Sequence, residues 1–224
     1  MKPSRTLAAV VFVTLGLGAA LPAAGATDPV ERIRTQDVEL QKLLRDKSVG
    51  QHTARVKALI NGIFDFEELG RRALGTATWN KMTPAQKTRF VKAFKSMVEN
   101  SSVKRLDAYS SDSTRYAPAV INGERATVKA RVYSKGTESF VEYKLQLKQG
   151  EWRAWDLVID DLSTAGNYGD QFRKILQKNT IDDLIARLEK RAKEDAGAKA
   201  QTVTDDVKSK SGKAADATRP PSGL

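Results

Sequence analysis

Few residues in this sequence are of a type that could perform acid–base, nucleophilic or metal chemistry. The chain of 224 residues has no cysteine and a single histidine, His52. Its position near a predicted helix start is typical of a surface residue rather than of a ligand or a base. Thiol nucleophiles are therefore excluded, and a Ser-His-Asp arrangement has almost nothing to work with. The carboxylates that stand close together in sequence are Asp160 with Asp161, Asp182 with Asp183, and Asp65 with Glu67 and Glu68.

These acidic groups are better explained by local structure than by chemistry. Adjacent side chains on a strand or helix point in different directions, so an Asp-Asp pair makes a poor metal site. We interpret Asp160-Asp161 as a turn and Asp182-Asp183 as part of a helix cap. Asp65 can cap a short helix whose last turn carries Arg71 and Arg72, in agreement with the helix dipole. The sequence also lacks a Gly-rich phosphate loop, so it predicts a protein that binds rather than an enzyme, with no metal and no cofactor.

The first 26 residues have the layout of a secretory signal peptide. Lys2 and Arg5 precede an apolar run from Leu7 to Leu21, and Ala24-Gly25-Ala26 offers small residues for cleavage. The alternative is a membrane anchor, but the run is shorter than the roughly 20 residues that a spanning helix needs. We expect cleavage after Ala26 and an exported mature chain that is held together without disulfides.

The mature chain is expected to be basic. Loss of Lys2 and Arg5 leaves 36 Lys and Arg against 27 Asp and Glu, a net charge of +9. Such a charge is compatible with an anionic membrane surface, an acidic partner protein or simply a well-solvated exterior. No stretch combines a cluster of Lys and Arg with interleaved aromatic residues, so nucleic acid is not an expected partner.

Helical patterns occupy the first half of the mature chain. Asp28-Pro29 is a typical helix start, and a second apolar stripe runs from Val56 to Ile63. Thr83-Pro84-Ala85-Gln86 is a capping box that opens a long helix, whose apolar stripe includes Phe90, Val91, Phe94, Met97, Val98 and Leu106. The sequence alone leaves open whether such a stripe packs into a filled core or lines one wall of a cavity.

A sheet follows, with turn signals around Gly136 and Gly150. We predict a first strand over Tyr116–Ile121, placed at an edge because of Pro118, and a hairpin at Asn122-Gly123. Three longer strands are predicted over Arg125–Tyr133, Ser139–Lys148 and Trp152–Ile159. The alternation of apolar and polar residues in the second of them is typical of an antiparallel sheet with one buried face.

The order of helices, sheet and helices predicts an α+β fold, with a helical lobe packed on a curved, mainly antiparallel sheet. We divide the chain into a signal peptide (1–26), one domain (27–192) and a disordered tail (193–224). Within the domain, the helical lobe takes 27–110 and 160–192, and the sheet lobe takes 111–159. A helix through Lys178 and a last helix opened by Thr180-Ile181-Asp182-Asp183 complete the helical lobe.

Several separated motifs resemble the MlaC, or toluene-tolerance, family of periplasmic phospholipid carriers. They cover roughly Val30 to Lys193 in the family's order: Phe64-Asp65-Phe66-Glu67-Glu68-Leu69-Gly70-Arg71-Arg72-Ala73-Leu74-Gly75 with Trp79, Met82-Thr83-Pro84-Ala85-Gln86-Lys87-Thr88-Arg89-Phe90, Trp155-Asp156-Leu157-Val158-Ile159-Asp160-Asp161-Leu162-Ser163, Asn167-Tyr168, Gln171-Phe172, and Ile181-Asp182-Asp183-Leu184-Ile185. Two positions depart from the family's usual pattern. Gly169 stands where Arg is frequent, and Asp161 stands where Gly is frequent.

The resemblance implies a sheet lobe like that of nuclear transport factor 2, with a deep apolar pocket between sheet and helices that takes the acyl tails of a phospholipid. It also implies a periplasmic shuttle that maintains outer-membrane lipid asymmetry. Its partners would be an outer-membrane lipoprotein–porin complex and an inner-membrane ABC transporter with its MCE-type substrate-binding protein. Another lipid, such as a hopanoid, is an alternative cargo. A ligand-free scaffold protein and a lipid or cell-wall hydrolase are the alternative functions.

We expect the pocket to be lined from both lobes. The sheet positions predicted to face the helices are Val128, Ala130, Val132, Val141, Tyr143, Leu145, Leu147, Trp155 and Leu157. The helical positions predicted to face the sheet are Phe66, Leu69, Phe90, Phe94, Met97, Val98, Leu162, Tyr168 and Phe172. For any single one of these residues, ordinary core packing is the competing interpretation.

Overall fold

The computed structural model describes residues 27–45, 53–104 and 110–195. The predicted signal peptide, His52, Leu106 and the tail beyond residue 195 lie outside these ranges. The helices are α1 (Pro29–Arg45), α2 (Thr53–Ile63), α3 (Phe66–Leu74), α4 (Thr76–Lys81), α5 (Pro84–Lys104), α6 (Thr164–Leu176) and α7 over 181–195. The strands are β1 (Ser113–Tyr116), β2 (Val120–Asn122), β3 (Arg125–Ser134), β4 (Thr137–Lys148), β5 (Glu151–Ile159) and β6 (Leu162–Ser163).

Side-chain caps begin the helices where the sequence predicts them. Asp28 Oδ1 accepts the amide of Val30 at 2.8 Å at the start of α1. At the start of α5, Thr83 Oγ1 accepts the amide of Gln86 while Gln86 Oε1 accepts the amide of Thr83, which is a complete capping box. Thr180 and Asp183 make the same reciprocal pair before α7. These bonds satisfy amides that a helix leaves unpaired, which is why short polar residues stand there.

The sheet is an antiparallel meander in the order β1-β3-β4-β5-β6. Two-residue turns join β3 to β4, β4 to β5 and β5 to β6, and both residues of each turn have positive φ. The last of them is Asp160-Asp161, with φ of 46° and 66°, so the prediction of a turn there is confirmed. Turns of this kind have the same twist as the strands that they join, which fixes each strand beside its neighbour in sequence.

The predicted first strand is wrong in one respect, because it is two short strands rather than one. β2 pairs with the start of β3 and β1 with its second half. Pro118 lies between them and has no amide hydrogen to donate, so it interrupts the hydrogen bonds to β3. Just before it, on the β1 side, the amide of Ala117 still donates to Lys129 O at 2.9 Å. β1 begins at Ser113, three residues before the predicted start at Tyr116.

The apolar side chains form two clusters. The helical cluster unites buried residues of α1 to α5 with those of α6 and α7, and its centre is a set of aromatic rings: Trp79, Phe90, Phe94 and Phe172. The sheet cluster consists of buried residues on one face of the sheet together with one residue of α1: Ala126, Val128, Leu145, Trp152, Ala154 and Ile33. Phe64, just before α3, packs against both clusters. The predicted α+β class with a mainly antiparallel sheet is confirmed.

Helices α3 and α6 pack closely because a glycine stands at their contact. Gly169 is buried, and a Cβ at this position would lie 3.0 Å from the carbonyl oxygen of Ala73. A backbone oxygen cannot move aside as the end of a side chain can. The departure from the family's usual arginine therefore coincides with a contact that leaves no room for a side chain.

Gly169→Ala is accordingly expected to lower the free energy of unfolding by about 1–3 kcal/mol, because α6 must shift away from α3. Gly166→Ala is the control on the same helix, since its Cβ would meet the hydroxyl of Ser163 at 3.3 Å rather than a backbone atom. Urea denaturation followed by circular dichroism measures both. Equal stability of the two variants would contradict the close-packing explanation.

Candidate functional site

One face of the sheet is mainly apolar. In β3 it carries Val128, Ala130 and Val132, which alternate with polar residues of the opposite face. The strand register places Val128 beside Tyr143 and Ala130 beside Val141. On β5 the same face continues through residues opposite β4: Trp152 beside Leu147, Ala154 beside Leu145, and Leu157 beside Tyr143.

The first half of this face is filled. Ile33 of α1 is 2% exposed and packs into the sheet cluster, and Ile63 and Phe64 pack against it from the end of α2. Val128, Leu145 and Ala154 are completely buried there. This half of the face is ordinary core.

The second half of the face is different. Ala130 and Val141 are buried, but within the described part of the chain they belong to neither cluster. Val132 and Leu157 are half-buried, and exposure then rises to 36% at Ile159. We call these five residues the apolar strip. It extends from the filled core toward the surface and is the part of the sheet face whose contacts the two clusters do not account for.

Helix α1 covers the sheet face with few buried contacts. Only Pro29, Ile33 and Leu43 of its 17 residues are buried. Polar bonds tie it in place: Tyr116 Oη donates to Asp37 Oδ2 at 2.7 Å, and the amide of Ser111 donates to Gln41 Oε1 at 3.1 Å. Burial, followed by the bond to Asp37, raises the pKa of Tyr116, so this hydroxyl stays protonated and remains the donor.

A cleft of about 620 Å³ lies between α1 and β1. Its α1 side consists of residues at helical spacing, and its β1 side ends at Tyr116, which packs against the sheet cluster. The volume is in the range of small-molecule sites. The described residues that line it are Arg34, Asp37, Val38, Gln41, Lys42, Arg45, Ser111, Thr114, Arg115 and Tyr116.

Asp65 joins the helices to the sheet at the opposite side of the molecule. It is 8% exposed; its Oδ1 caps α3 by accepting the amides of Glu67 and Glu68, and its Oδ2 accepts from Lys148 at 2.8 Å and from Gln146 at 2.9 Å. Burial alone raises the pKa of Asp65, but these hydrogen bonds and the charge of Lys148 outweigh it, so the pKa is lowered. The carboxylate is a structural anion rather than a general acid.

Sixteen of the eighteen site residues predicted from the sequence lie in three places: the sheet cluster, the apolar strip and the helical cluster. Val128, Tyr143, Leu145 and Leu147 lie in or against the sheet cluster, while Ala130, Val132, Val141 and Leu157 lie on the apolar strip. The helical positions instead pack on one another in the helical cluster: Phe66, Leu69, Phe90, Phe94, Met97, Val98, Tyr168 and Phe172. The structure thus places the two predicted sets in separate clusters, and the role of these residues in lipid binding stays a prediction.

Two predicted positions face elsewhere. A register shift opposite Lys144 and Leu145 leaves Trp155 without a partner on β4, and its ring lies under the guanidinium of Arg72, at 4.4 Å, and near Lys144 Nζ, at 5.7 Å. Trp155 therefore lies on the face opposite to Leu145, since it follows Ala154, which is beside Leu145; the bulge after it returns Leu157 to the Leu145 face. Leu162 is 77% exposed in β6, which follows the Asp160-Asp161 turn and precedes the helix.

Three residues at this face were not predicted as site residues from the sequence: Ile33, Phe64 and Tyr116. Ile33 and Phe64 fill the first half of the sheet face, and Tyr116 connects that face to the cleft. The apolar stripe of α1 signalled that Ile33 is buried, but a stripe alone does not say which surface covers it. Within the described ranges, no group of three or more His, Asp or Glu side chains converges on a metal position.

Comparisons with known proteins agree with one another. The model of the MlaC family, described as MlaC protein, matches residues 34–190. The toluene tolerance protein ttg2D of Pseudomonas putida is 26% identical over 126 residues, which span 55% of this chain and only 59% of that relative. A solved structure of the phospholipid-binding protein from Ralstonia solanacearum, in complex with a phospholipid, matches with a TM-score of 0.66 and 20% identity, covering 76% of this chain and 99% of that chain. This last likeness shows a common fold.

None of the helices in the described part of the chain combines the length and apolar composition that a membrane crossing requires.

Proposed function

The chain belongs to the MlaC family, and on that premise we propose that it is a non-enzymatic phospholipid carrier whose apolar strip receives the acyl tails. The observation that supports this most directly is the position of Ala130 and Val141, which are buried on the sheet face yet belong to neither cluster of the described residues. Lipid tails laid along this face would cover Val132, Leu157 and Ile159, the strip residues that the protein itself leaves partly exposed. Each Å² of tail surface removed from water contributes about 25 cal/mol.

Helix α1 is the element that we propose to move when a lipid enters. Because it buries only three side chains and is tied to β1 and the residues just before it by the Tyr116–Asp37 and Ser111–Gln41 bonds, it can separate from the sheet at a modest cost. The helical cluster, by contrast, is packed within itself and need not open. The carrier would thus expand at one boundary, between α1 and the apolar strip.

The setting proposed for this carrier is the periplasm. The likeness to a phospholipid-bound protein supports phospholipid as the cargo, and membership of the family supports a shuttle between an outer-membrane lipoprotein–porin complex and an inner-membrane ABC transporter with its MCE-type protein. The positive charge expected of the mature chain, +9, favours encounters with anionic membranes or acidic surfaces of such partners.

Native mass spectrometry of protein purified without detergent, followed by lipid extraction, tests the proposal. We expect added mass that corresponds to one or two phospholipids. A hopanoid or other lipid would retain the carrier mechanism and change the cargo. A mass without ligand, together with no uptake from added liposomes, would refute the carrier and favour a ligand-free scaffold protein.

Neighbouring residues of β3 provide a matched test of the strip. Val132→Gln introduces an amide on the apolar face, whereas Arg131→Gln introduces the same side chain on the opposite, exposed face. We expect the first variant to retain roughly tenfold less lipid, because a buried amide without a partner costs about 1–3 kcal/mol, and the second to retain lipid like the wild type. Equal retention by the two folded variants would show that tails do not lie on this face.

A further inference from the structure

The cleft between α1 and β1 differs in charge from the other clefts of the described surface. Three of its described lining residues are cationic and one is a carboxylate, namely Arg34, Lys42 and Arg45 against Asp37; a fourth cation, Arg115, has its guanidinium over the Tyr133 ring on the opposite face of the sheet. A cleft of about 550 Å³ beside Asp65 is balanced, since its three cations, Lys95, Lys148 and Arg153, are accompanied by three carboxylates, Asp65, Glu67 and Glu151. An excess of one sign in a concave site concentrates ligands of the opposite charge.

The single carboxylate of the α1–β1 cleft does not neutralise these cations directly. Asp37 Oδ2 accepts the hydroxyl of Tyr116 at 2.7 Å, and its Oδ1 accepts Gln41 Nε2 at 3.3 Å. The guanidinium of Arg34 lies 5.5 Å from the centre of the Tyr116 ring, so the ring fixes it above the cleft floor. A guanidinium held in this way is suited to a phosphate, which it can bind through two parallel hydrogen bonds.

Two carboxylates outside the lining compete for the cations. Glu31 accepts from Arg34 at 2.6 Å and Glu39 accepts from Lys42 at 2.6 Å. In both pairs the side chains are at least 41% exposed, and ion pairs in water at that exposure are weak. A phosphate oxygen can therefore replace either glutamate at little cost.

The position of the cleft connects it to the apolar strip. Tyr116 lies at the end of the cleft, packs against the sheet cluster and pairs in the sheet with Ala130, the first residue of the strip. A lipid with its tails along the strip would have its glycerol near Tyr116 and its phosphate beside Arg34.

We propose that this cleft is the headgroup subsite and that it selects anionic glycerophospholipids, with Arg34 binding the phosphate while Lys42 and Arg45 supply the surrounding positive charge. The inference rests on the proposed carrier function. Zwitterionic headgroups would gain less from the cleft, because their ammonium group meets the same excess of cations.

The test uses the full mature chain, stripped of lipid and incubated with vesicles that contain equal amounts of phosphatidylglycerol and phosphatidylethanolamine. Extracted lipid is quantified by mass spectrometry. We expect the lipid extracted from the wild type to be enriched in phosphatidylglycerol by roughly tenfold, and the lipid extracted from the double variant Arg34→Gln with Lys42→Gln to show no such preference. The reason is that hydrogen bonds from charged groups to a phosphate contribute a binding free energy that corresponds to about a tenfold difference in affinity. Arg125→Gln is the control, since Arg125 lies five positions along β3 from Ala130, the partner of Tyr116, about 17 Å away.

A variant with the opposite expected effect makes the test sharper. Glu31→Gln with Glu39→Gln releases the two cations and should increase the preference for phosphatidylglycerol. Uptake of both lipids by the wild type without preference would overturn the headgroup subsite and leave the carrier intact. Uptake of neither lipid would overturn the carrier itself. If inorganic phosphate bound lipid-free protein in the cleft as tightly as the lipid does, the cleft would be a free-phosphate site and the assignment to headgroups would be wrong.

Discussion

Phe94→Ala is expected to lower the free energy of unfolding by about 3–5 kcal/mol, the range for a large aromatic residue removed from a closed core. Phe94 is fully buried, and its ring stacks on Phe90 at 5.6 Å and meets the edges of Tyr168 at 4.9 Å and Phe172 at 5.6 Å. Alanine leaves a void between three rings, of which Phe90 is held by α5 itself and Tyr168 and Phe172 are held by α6. Chemical denaturation monitored by tryptophan fluorescence measures the loss.

Phe140→Ala is the matched control for this prediction. Phe140 has the same side chain but is 54% exposed on the opposite face of the sheet, where it contacts Arg131. We expect a change within about 0.5 kcal/mol, as for surface substitutions in general. Similar losses for the two variants would mean that the helical cluster is not the main apolar core. Lipid binding by Phe94→Ala should persist at low temperature, since the helical cluster need not open to admit tails.

Asp65→Ala is expected to cost about 2–4 kcal/mol, because it removes the cap of α3 and leaves Gln146 and Lys148 without their shared acceptor. Asp65→Asn should cost less than alanine. Its carbonyl oxygen can still accept the amides of Glu67 and Glu68, but its amide group has no charge for Lys148. Glu67→Gln is the control, since Glu67 is 61% exposed and 3.5 Å from the same lysine. Equal stability of Asp65→Ala and Glu67→Gln would refute a structural role for Asp65.

The contribution of Asp65 should depend on pH in a defined direction. Its pKa is lower in the folded protein than in the unfolded chain, so the stabilisation is complete above the unfolded value of about 3.9 and is lost as the pH falls through the folded value. The difference in unfolding free energy between wild type and Asp65→Asn should therefore be constant above about pH 5 and narrow below about pH 4. A difference that widened on acidification would contradict the lowered pKa.

Local features of this fold could be predicted from sequence because neighbours in the chain determine them. Asp28, the Thr83–Gln86 box and the Asp160-Asp161 turn each depend on residues within four positions, and all three are present. Pro118 was recognised as incompatible with a central strand. That it divides the segment into two strands depends on the pairing with β3, because β2 pairs with the first part of β3 and β1 with a later part.

The candidate site was less predictable because it depends on how distant elements meet. Strict alternation placed Trp155 with Leu145, but the bulge opposite Lys144 exists only in the pairing of β4 with β5 and leaves no period-two signature in either strand. The stripe that includes Phe94 was correctly identified as apolar, yet it packs against α6 and not against the sheet. No pattern within α1 indicates that Ile33 fills the sheet face and thereby leaves the apolar strip beyond it.

The tight turns of the meander also bear on the order in which the molecule assembles. From β3 to β6 each strand pairs with the next one in sequence, so each of these hairpins closes a short loop and can form within microseconds. The helical cluster is the opposite case, because Phe94 contacts Phe172 although all six strands lie between these two residues in the sequence. Such distant contacts form late and govern the folding rate. The surface that we propose for cargo would thus be formed before the helical core closes, and during that interval the nascent chain would expose an apolar sheet face to any lipid, chaperone or second chain nearby.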